Sequence, residues 1–187
     1  MKISPVEILL LTRPFYFLRH GETDSNVRRI VAGSLDVSLT ERGQAQARAA
    51  ALALEYCGIS EIYSSALRRA RDTAACVAAV LNLHVPVIPG LAERRWGVLE
   101  GQPRELRVAG VTPPGAETPE EFSQRVMQAF AEIKTQGVPL VVAHSGVFRV
   151  LCRALGVTEP ADQVGNATPV HCLPPDAQHP TWRLEVH

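Results

Sequence analysis

What the chain lacks narrows it first. Only four of its 187 residues are cysteine (Cys57, Cys76, Cys152 and Cys172), and none forms a CxxC pair. That scatter argues against a zinc site or a disulfide framework and for a reducing compartment. Cys76 and Cys152 lie in apolar helical patterns, where a small buried thiol is expected. Long apolar runs are also missing. Near the start the longest is Ile8 to Leu11, against the ~20 residues that span a bilayer. Lys2 precedes a broken apolar stretch with no small-residue cleavage site, so no secretory signal is read. Neither charge is in excess. Lys+Arg and Asp+Glu number 19 each, for a formal net charge of zero. That leaves no nucleic-acid surface and no membrane surface, and a cytoplasmic location is expected; a local basic cluster would serve a small anion.

Common nucleotide and hydrolase signatures are absent as well. There is no GxxxxGK[ST] loop and no GxGxxG turn. Ser145 has Ala143 and Val147 where a nucleophile elbow needs glycines. No cysteine is followed by an arginine at phosphatase-loop spacing.

What is present alternates strand-like and helix-like segments. Phe15 to Leu18 reads as a buried strand ending in Arg19-His20-Gly21. Thr40 to about Tyr56 is Ala-rich, with Thr40 as N-cap and Gly58 as a stop. Glu61 to Tyr63 is a short strand, Leu67 to Leu83 a second helix, and Val85 to Ile88 an edge strand weakened by Pro86. Gly90 to Gly115 is irregular. Thr118, Pro119 and Glu121 form a capping box with proline at the first helical position, opening a helix to about Gln136. Pro139 to Ala143 is an apolar strand ending at His144-Ser145-Gly146, followed by a helix to about Leu155; Trp182 to Val186 is a last strand. Residues 1–14 read as an N-terminal extension, with Val6 to Leu11 as an edge strand or a helical turn. The expected fold is one α/β domain over 1–187, a three-layer α/β/α sandwich with a mostly parallel central sheet. Ligands in such sheets sit beyond the carboxyl ends of strands, and two strands here end in histidine.

The chemistry gathers around Arg19-His20-Gly21-Glu22, with Asn26 six residues after His20. A neutral imidazole is a competent phosphoryl acceptor near pH 7. An arginine fork matches phosphate oxygens and discourages protonation of a neighbouring ring. Gly21 allows a tight turn beside the phosphate.

These residues, with those that follow, resemble the histidine phosphatase superfamily, which includes cofactor-dependent phosphoglycerate mutases. The likeness covers roughly residues 15–170. It rests on Leu18-Arg19-His20-Gly21-Glu22-Thr23 with Asn26; Leu39-Thr40-Glu41-Arg42-Gly43 with Gln46-Ala47; and Ser65-Ala66-Leu67-Arg68-Arg69-Ala70 with Thr73-Ala74. It continues through Leu91-Ala92-Glu93 with Gly97 and Glu100-Gly101, Pro114-Gly115-Ala116-Glu117-Thr118, and Val142-Ala143-His144-Ser145-Gly146. A single such motif is weak, but this order is specific.

The resemblance implies a phosphoglycerate mutase-like fold and assigns roles. His20 is the nucleophile. Arg19, Arg69 and His144 hold the transferring phosphoryl group, Arg69 rather than Arg68 by register. Glu93 is the acid and then the base. Asn26, Thr23 and Ser145 contact substrate, and Asn166 supports the site. No metal and no cofactor are called for.

Taken alone, each residue has a plainer reading. Strand-end histidines are more often satisfied polar groups, and Glu100 and Glu117 rival Glu93 as the acid. Arg94 and Arg95 are substrate contacts or solvated, Trp96 lines the pocket mouth or packs in the core, and Arg68 and Arg71 lie on a solvated helix face. His84, His171, His179 and His187 are surface or loop residues.

The activity expected is hydrolysis of a small phosphorylated metabolite. A phosphoglycerate mutase is the alternative, disfavoured because only Gln102 to Thr112 separates Glu100-Gly101 from Pro113-Pro114, although Arg104 and Arg107 could reach a substrate carboxylate. A phospho-ligand binding module, or a metallohydrolase using His20, His144 and Glu93, ranks lower. A homodimer is compatible with the pattern.

Overall fold

The computed structural model describes residues 8–158 and 164–187. In chain order the elements are β1 (Phe15–Arg19), α1 (Asp24–Val27), α2 (Glu41–Ala53), β2 (Ile59–Ser64), α3 (Arg68–Leu81), α4 (Pro119–Glu132), β3 (Val138–Ala143), α5 (Ser145–Leu155), β4 (Pro169–Leu173) and β5 (Arg183–Val186).

Side-chain alternation along β1 and β3 explains the layers. Phe15, Phe17, Val141 and Ala143 enter one apolar cluster, while Tyr16, Leu18, Leu140 and Val142 enter another. A strand apolar on both faces has to be covered on both. The first face is covered by Phe122, Val126 and Phe130 of α4 and by Val147, Phe148 and Leu151 of α5. Alanines do this on the other face: Ala50 and Ala51 of α2, Ala70 and Ala74 of α3. Their small side chains let α2 and α3 lie close to the sheet and to each other. Phe17 and Phe130 are wholly buried, each contributing ~1.5–3 kcal/mol relative to exposure.

Caps form where their residues predict. Thr40 accepts from the Gly43 N–H at 2.9 Å. Thr118 accepts from the Glu121 N–H, while the Glu121 carboxylate accepts from the Thr118 N–H. Asn82 and Gly156 close α3 and α5 in the left-handed conformation. Helices α2 and α4 stop at Ala53 and Glu132, short of the expected Tyr56 and Gln136.

The sheet order is β2-β3-β1-β4-β5. Strands β2, β3 and β1 are parallel, but β1–β4 and β4–β5 are antiparallel. The expectation of a mostly parallel sheet therefore holds only for its first three strands. The reason is local. The Ala167 N–H donates to the Arg19 carbonyl at the carboxyl end of β1, so a strand leaving that point has to run back along β1. The short link from β4 to β5 then allows only a hairpin-like return.

The remaining comparisons are small in scale. Strand β4, with His171 in it, was not foreseen. Val85–Ile88 reduces to a single bridge, Ser64 to Val87, since Pro86 has no N–H to give. Of Val6–Leu11, Val6 and Glu7 lie outside the described residues. Leu9–Thr12 forms a 3-10 turn that buries Leu10 and Leu11 in the first apolar cluster. All four cysteines are free thiols; Cys152 is buried as expected, whereas Cys76 is only half-buried. No helix among the described residues is long and apolar enough to cross a membrane.

Candidate active site

Strand register builds the centre of the site. Arg19 pairs with Ala143, so the residues that follow, His20 and His144, emerge side by side with ring centroids 5.2 Å apart. Ser64 pairs with Val142, which sets Ser65 beside His144, and the Ser65 Oγ lies 2.8 Å from His144 Nε2. Three adjacent parallel strand ends thus supply three polar groups at one edge of the sheet.

His20 is 5% exposed, and its Nδ1 lies 2.7 Å from the Gly21 carbonyl oxygen. A carbonyl only accepts, so Nδ1 carries the proton and the Nε2 lone pair stays open. The His20 pKa is held well below the ordinary histidine value, first by burial and then by the Arg69 charge. His144 is depressed for the same two leading reasons. Both rings are therefore neutral at pH 7. His144 is wholly buried and does not reach the cavity wall.

The loop after His20 is fixed from several sides. The Gly21 N–H donates to Thr73 Oγ1, which donates in turn to the Arg69 carbonyl. Asn166 Nδ2 donates to the His20 carbonyl at 2.9 Å. Asn26 Oδ1 accepts from the Thr23 N–H, the Thr23 hydroxyl and Asn166 Nδ2. Asn26 and Thr23 both line the cavity, yet this oxygen of Asn26 is spent on holding the loop.

Arg69 is 1% exposed, and its two terminal nitrogens donate to the Gly33 and Leu35 carbonyls. Arg19 donates to the Val164 carbonyl. Its pKa is lowered to about 10 by burial and then by Arg104. Among the described residues, Arg19 Nε, Arg69 Nε and His144 Nδ1 are buried without a hydrogen-bond partner. Unpaired buried polar atoms gathered at one place are costly unless a ligand satisfies them.

The three candidate acids separate clearly. Glu117 is 4% exposed and forms a two-point pair with Arg125, with both N···O distances 2.8 Å. Burial pushes its pKa up, but the bonds from Arg125 and the Arg95 N–H outweigh this and hold it low. Glu100 is occupied by the Ser34 N–H and hydroxyl and the Trp96 N–H. Only Glu93 lines the cavity. It accepts from the Arg94 N–H and from the Gly146 N–H at the start of α5, with the Ser145 hydroxyl at 3.4 Å.

The cavity measures about 300 Å³. Its wall carries Arg19, Arg69, Arg94, Arg104, Arg107, Arg149 and Arg153 against one carboxylate among the described residues, Glu93. Trp96, Phe122 and Val150 give it apolar patches. Arg94 stacks over Trp96 at 4.3 Å and donates to the Glu117 carbonyl, whereas Arg95, Arg68 and Arg71 are exposed. Arg149, Arg153 and Arg125 were not anticipated. Ser145, Arg149 and Arg153 are spaced by four, a helical periodicity that aligns them on one face of α5.

Known proteins resemble this chain along most of its length. An agropine synthesis reductase from Rhizobium rhizogenes is 32% identical over 99% of this chain, but the match covers 44% of that protein, so the chain spans under half of its length. A phosphatase from Bacillus subtilis, PhoE, is 31% identical over 76% of this chain and 77% of its own. The structure of a mycobacterial glucosyl-3-phosphoglycerate phosphatase superposes with a TM-score of 0.75 at 30% identity, covering 93% of this chain and 97% of that one. The model of the histidine phosphatase superfamily (branch 1) matches residues 15–171, and the chain belongs to that family.

Proposed function

We propose that this chain hydrolyses a small phosphomonoester through a phosphohistidine at His20. The observation that carries the reading is the bond from His20 Nδ1 to the Gly21 carbonyl, which aims an unprotonated Nε2 in a buried ring flanked by Arg19 and Arg69. In the first half-reaction His20 Nε2 bonds to phosphorus and the ester P–O bond breaks. Glu93 gives its proton to the departing oxygen. In the second, Glu93 takes a proton from water, whose oxygen bonds to phosphorus as the P–N bond breaks. Inorganic phosphate leaves, and His20 and Glu93 return to their starting states.

Arg19 and Arg69 stabilise charge on the phosphoryl oxygens, acting from a site partly shielded from water. His144, its ring centroid 5.2 Å from that of His20 and its Nδ1 unpartnered, has to move to the cavity wall to reach the same oxygens. Thr23, Asn26 and Ser145 shape the wall around them, and Asn166 holds the His20 carbonyl. The arginines supply the positive charge that a metal ion would otherwise provide. Between Glu100-Gly101 and Pro113-Pro114 the chain forms one short 3-10 turn, Arg104–Leu106, which suits transfer to water better than retention for a second hydroxyl.

The test is p-nitrophenyl phosphate hydrolysis with and without EDTA, in the native chain and in His20→Ala. The expected result is EDTA-insensitive turnover that disappears in the variant, with an acid-labile, base-stable phosphoryl label trapped on the native chain. Turnover surviving in His20→Ala overturns the nucleophile. A native chain that hydrolyses nothing, yet converts 3-phosphoglycerate when primed with its bisphosphate, replaces the phosphatase with the mutase.

A further inference from the structure

His20 and His144 are neighbouring neutral rings with opposite needs. A nucleophile has to offer a lone pair, while a ring that steadies phosphoryl oxygens has to offer an N–H. The position of each ring's single proton decides both, and it is set by the bond the other nitrogen makes. At His20 the Gly21 carbonyl accepts the proton of Nδ1. His144 has no carbonyl partner. Among the described residues, its ring has one hydrogen-bond partner, the Ser65 hydroxyl, 2.8 Å from Nε2.

A hydroxyl either gives or takes a proton, so the other bonds of Ser65 choose between the two. Ser65 is wholly buried, just past the end of β2. Its Oγ already accepts from the Leu67 N–H at 3.2 Å. Among the described residues, His144 Nε2 is the one acceptor within reach of its proton. A proton on Nε2 would leave the hydroxyl with two donors facing it and its own proton buried without an acceptor. The satisfied arrangement has the Ser65 O–H donating to Nε2 and the ring proton on Nδ1. That Nδ1 is buried without a partner, so one N–H donor stays unpaired beside His20.

The backbone holds the three residues in order. The Ser65 N–H donates to the Val142 carbonyl and the His20 N–H to the Ala143 carbonyl, both at 3.0 Å. Ser65 and His20 therefore flank His144 from the strands on either side of β3. Turning the His144 ring over would break its bond to Ser65.

We propose that Ser65 is a positioning residue: it fixes the His144 proton on Nδ1 and so makes that ring a hydrogen-bond donor to the phosphoryl group. This rests on the phosphomonoesterase reading of the same site. Without the hydroxyl the proton is free to occupy Nε2, and the bare Nδ1 then repels the phosphoryl oxygens.

Long-range proton–nitrogen correlation spectra of the native chain at neutral pH read the tautomer directly, because protonated and bare ring nitrogens resonate far apart. Signals lost in His144→Gln assign the ring. The expected pattern is a protonated Nδ1 in the native chain and a shift of the proton toward Nε2 in Ser65→Ala. A native His144 protonated on Nε2 overturns the proposal, whatever the variants do. Ser65→Ala is expected to lower kcat/KM for p-nitrophenyl phosphate by about 10- to 100-fold, and Ser65→Thr, which keeps the hydroxyl, to regain part of it. In a chain carrying His144→Gln, the same Ser65→Ala change should cost less than about threefold, since the donor it serves is gone. An equal loss in both backgrounds shows Ser65 acting through the fold alone and overturns the proposal. Melting temperatures confirm that each variant folds. Calorimetric titration with orthovanadate, a phosphate mimic, separates the two readings. Vanadate binding that weakens in Ser65→Ala, in a native chain without turnover, keeps the role of Ser65 and sinks the hydrolase. Native turnover with vanadate binding unchanged by Ser65→Ala does the reverse.

Discussion

The Gly146 N–H donates to the Glu93 carboxylate at 2.9 Å, tying the irregular segment after residue 90 to the first turn of α5. A Cβ on Gly146 would collide with that carboxylate, so the contact requires glycine. Glu93→Gln keeps the shape and removes the proton donor. With alkyl phosphates kcat is expected to fall by roughly 10²- to 10⁴-fold. With p-nitrophenyl phosphate the leaving phenolate needs no proton. Its first turnover is then spared and later turnovers are slow, giving a burst near one equivalent in stopped flow. Equal loss in the first turnover for both leaving groups would remove Glu93 from the acid role.

The buried histidines set an acid limit on stability. His20 and His144 stay neutral in the folded chain well below the pH at which an unfolded histidine, pKa about 6.5, takes its proton. In that interval the unfolded chain binds more protons. Stability is therefore full above about pH 6.5 and declines as pH falls, by ~1.4 kcal/mol per unit for each histidine until its folded pKa is reached. Urea unfolding between pH 7 and 5 measures the slope. His144→Gln should flatten it by one histidine's share; matching slopes in the native chain and the variant would show that His144 does not titrate this way.

The parts of the fold legible in the sequence were those set by local chemistry. The buried strands, the Thr40 and Thr118 caps and the two strand-end histidines could each be read from neighbouring residues. What stayed hidden depends on distant partners. Strand β4 has no periodic signature of its own, and its direction follows from where Ala167 docks on β1. Asn26 looked like a ligand contact, but only the fold shows its oxygen committed to Thr23 and Asn166. The rivalry among Glu93, Glu100 and Glu117 could not be settled along the chain either, because the partners that occupy the last two, Ser34 and Arg125, are remote from them or unmarked by any motif.

Gly21 and Gly43 meet backbone to backbone. A Cβ on Gly43 would strike the backbone of Glu22, and one on Gly21 the backbone of Gly43. The Thr40 N–H donates to the Glu22 carbonyl at the same place. Replacing glycine by alanine inside a helix ordinarily stabilises by about 0.4–1 kcal/mol. Here the sign reverses: Gly43→Ala is expected to destabilise by ~1–3 kcal/mol, as overpacking does, and to lower kcat/KM by shifting the loop that carries His20. Urea midpoints and steady-state kinetics read both effects, and a more stable variant would show that the contact has room to relax.

Arg125 does two jobs from α4. It neutralises the buried Glu117, and it donates to the carbonyls of Gly90, Ala92 and Glu93, the segment that positions the acid. Arg125→Met leaves a buried carboxylate without its partner and should destabilise by ~3–5 kcal/mol. Removing the carboxylate as well, in Arg125→Met with Glu117→Met, should restore much of that loss, so the double-mutant cycle is strongly non-additive. Activity should not recover with it. The three carbonyls still lack their donor, Glu93 is held less firmly, and kcat/KM for an alkyl phosphate is expected to stay roughly 10- to 100-fold down. A double variant that regains full activity would show Arg125 to be a charge partner for Glu117 with no part in placing Glu93, whereas stability losses that simply add would undo the ion-pair account itself.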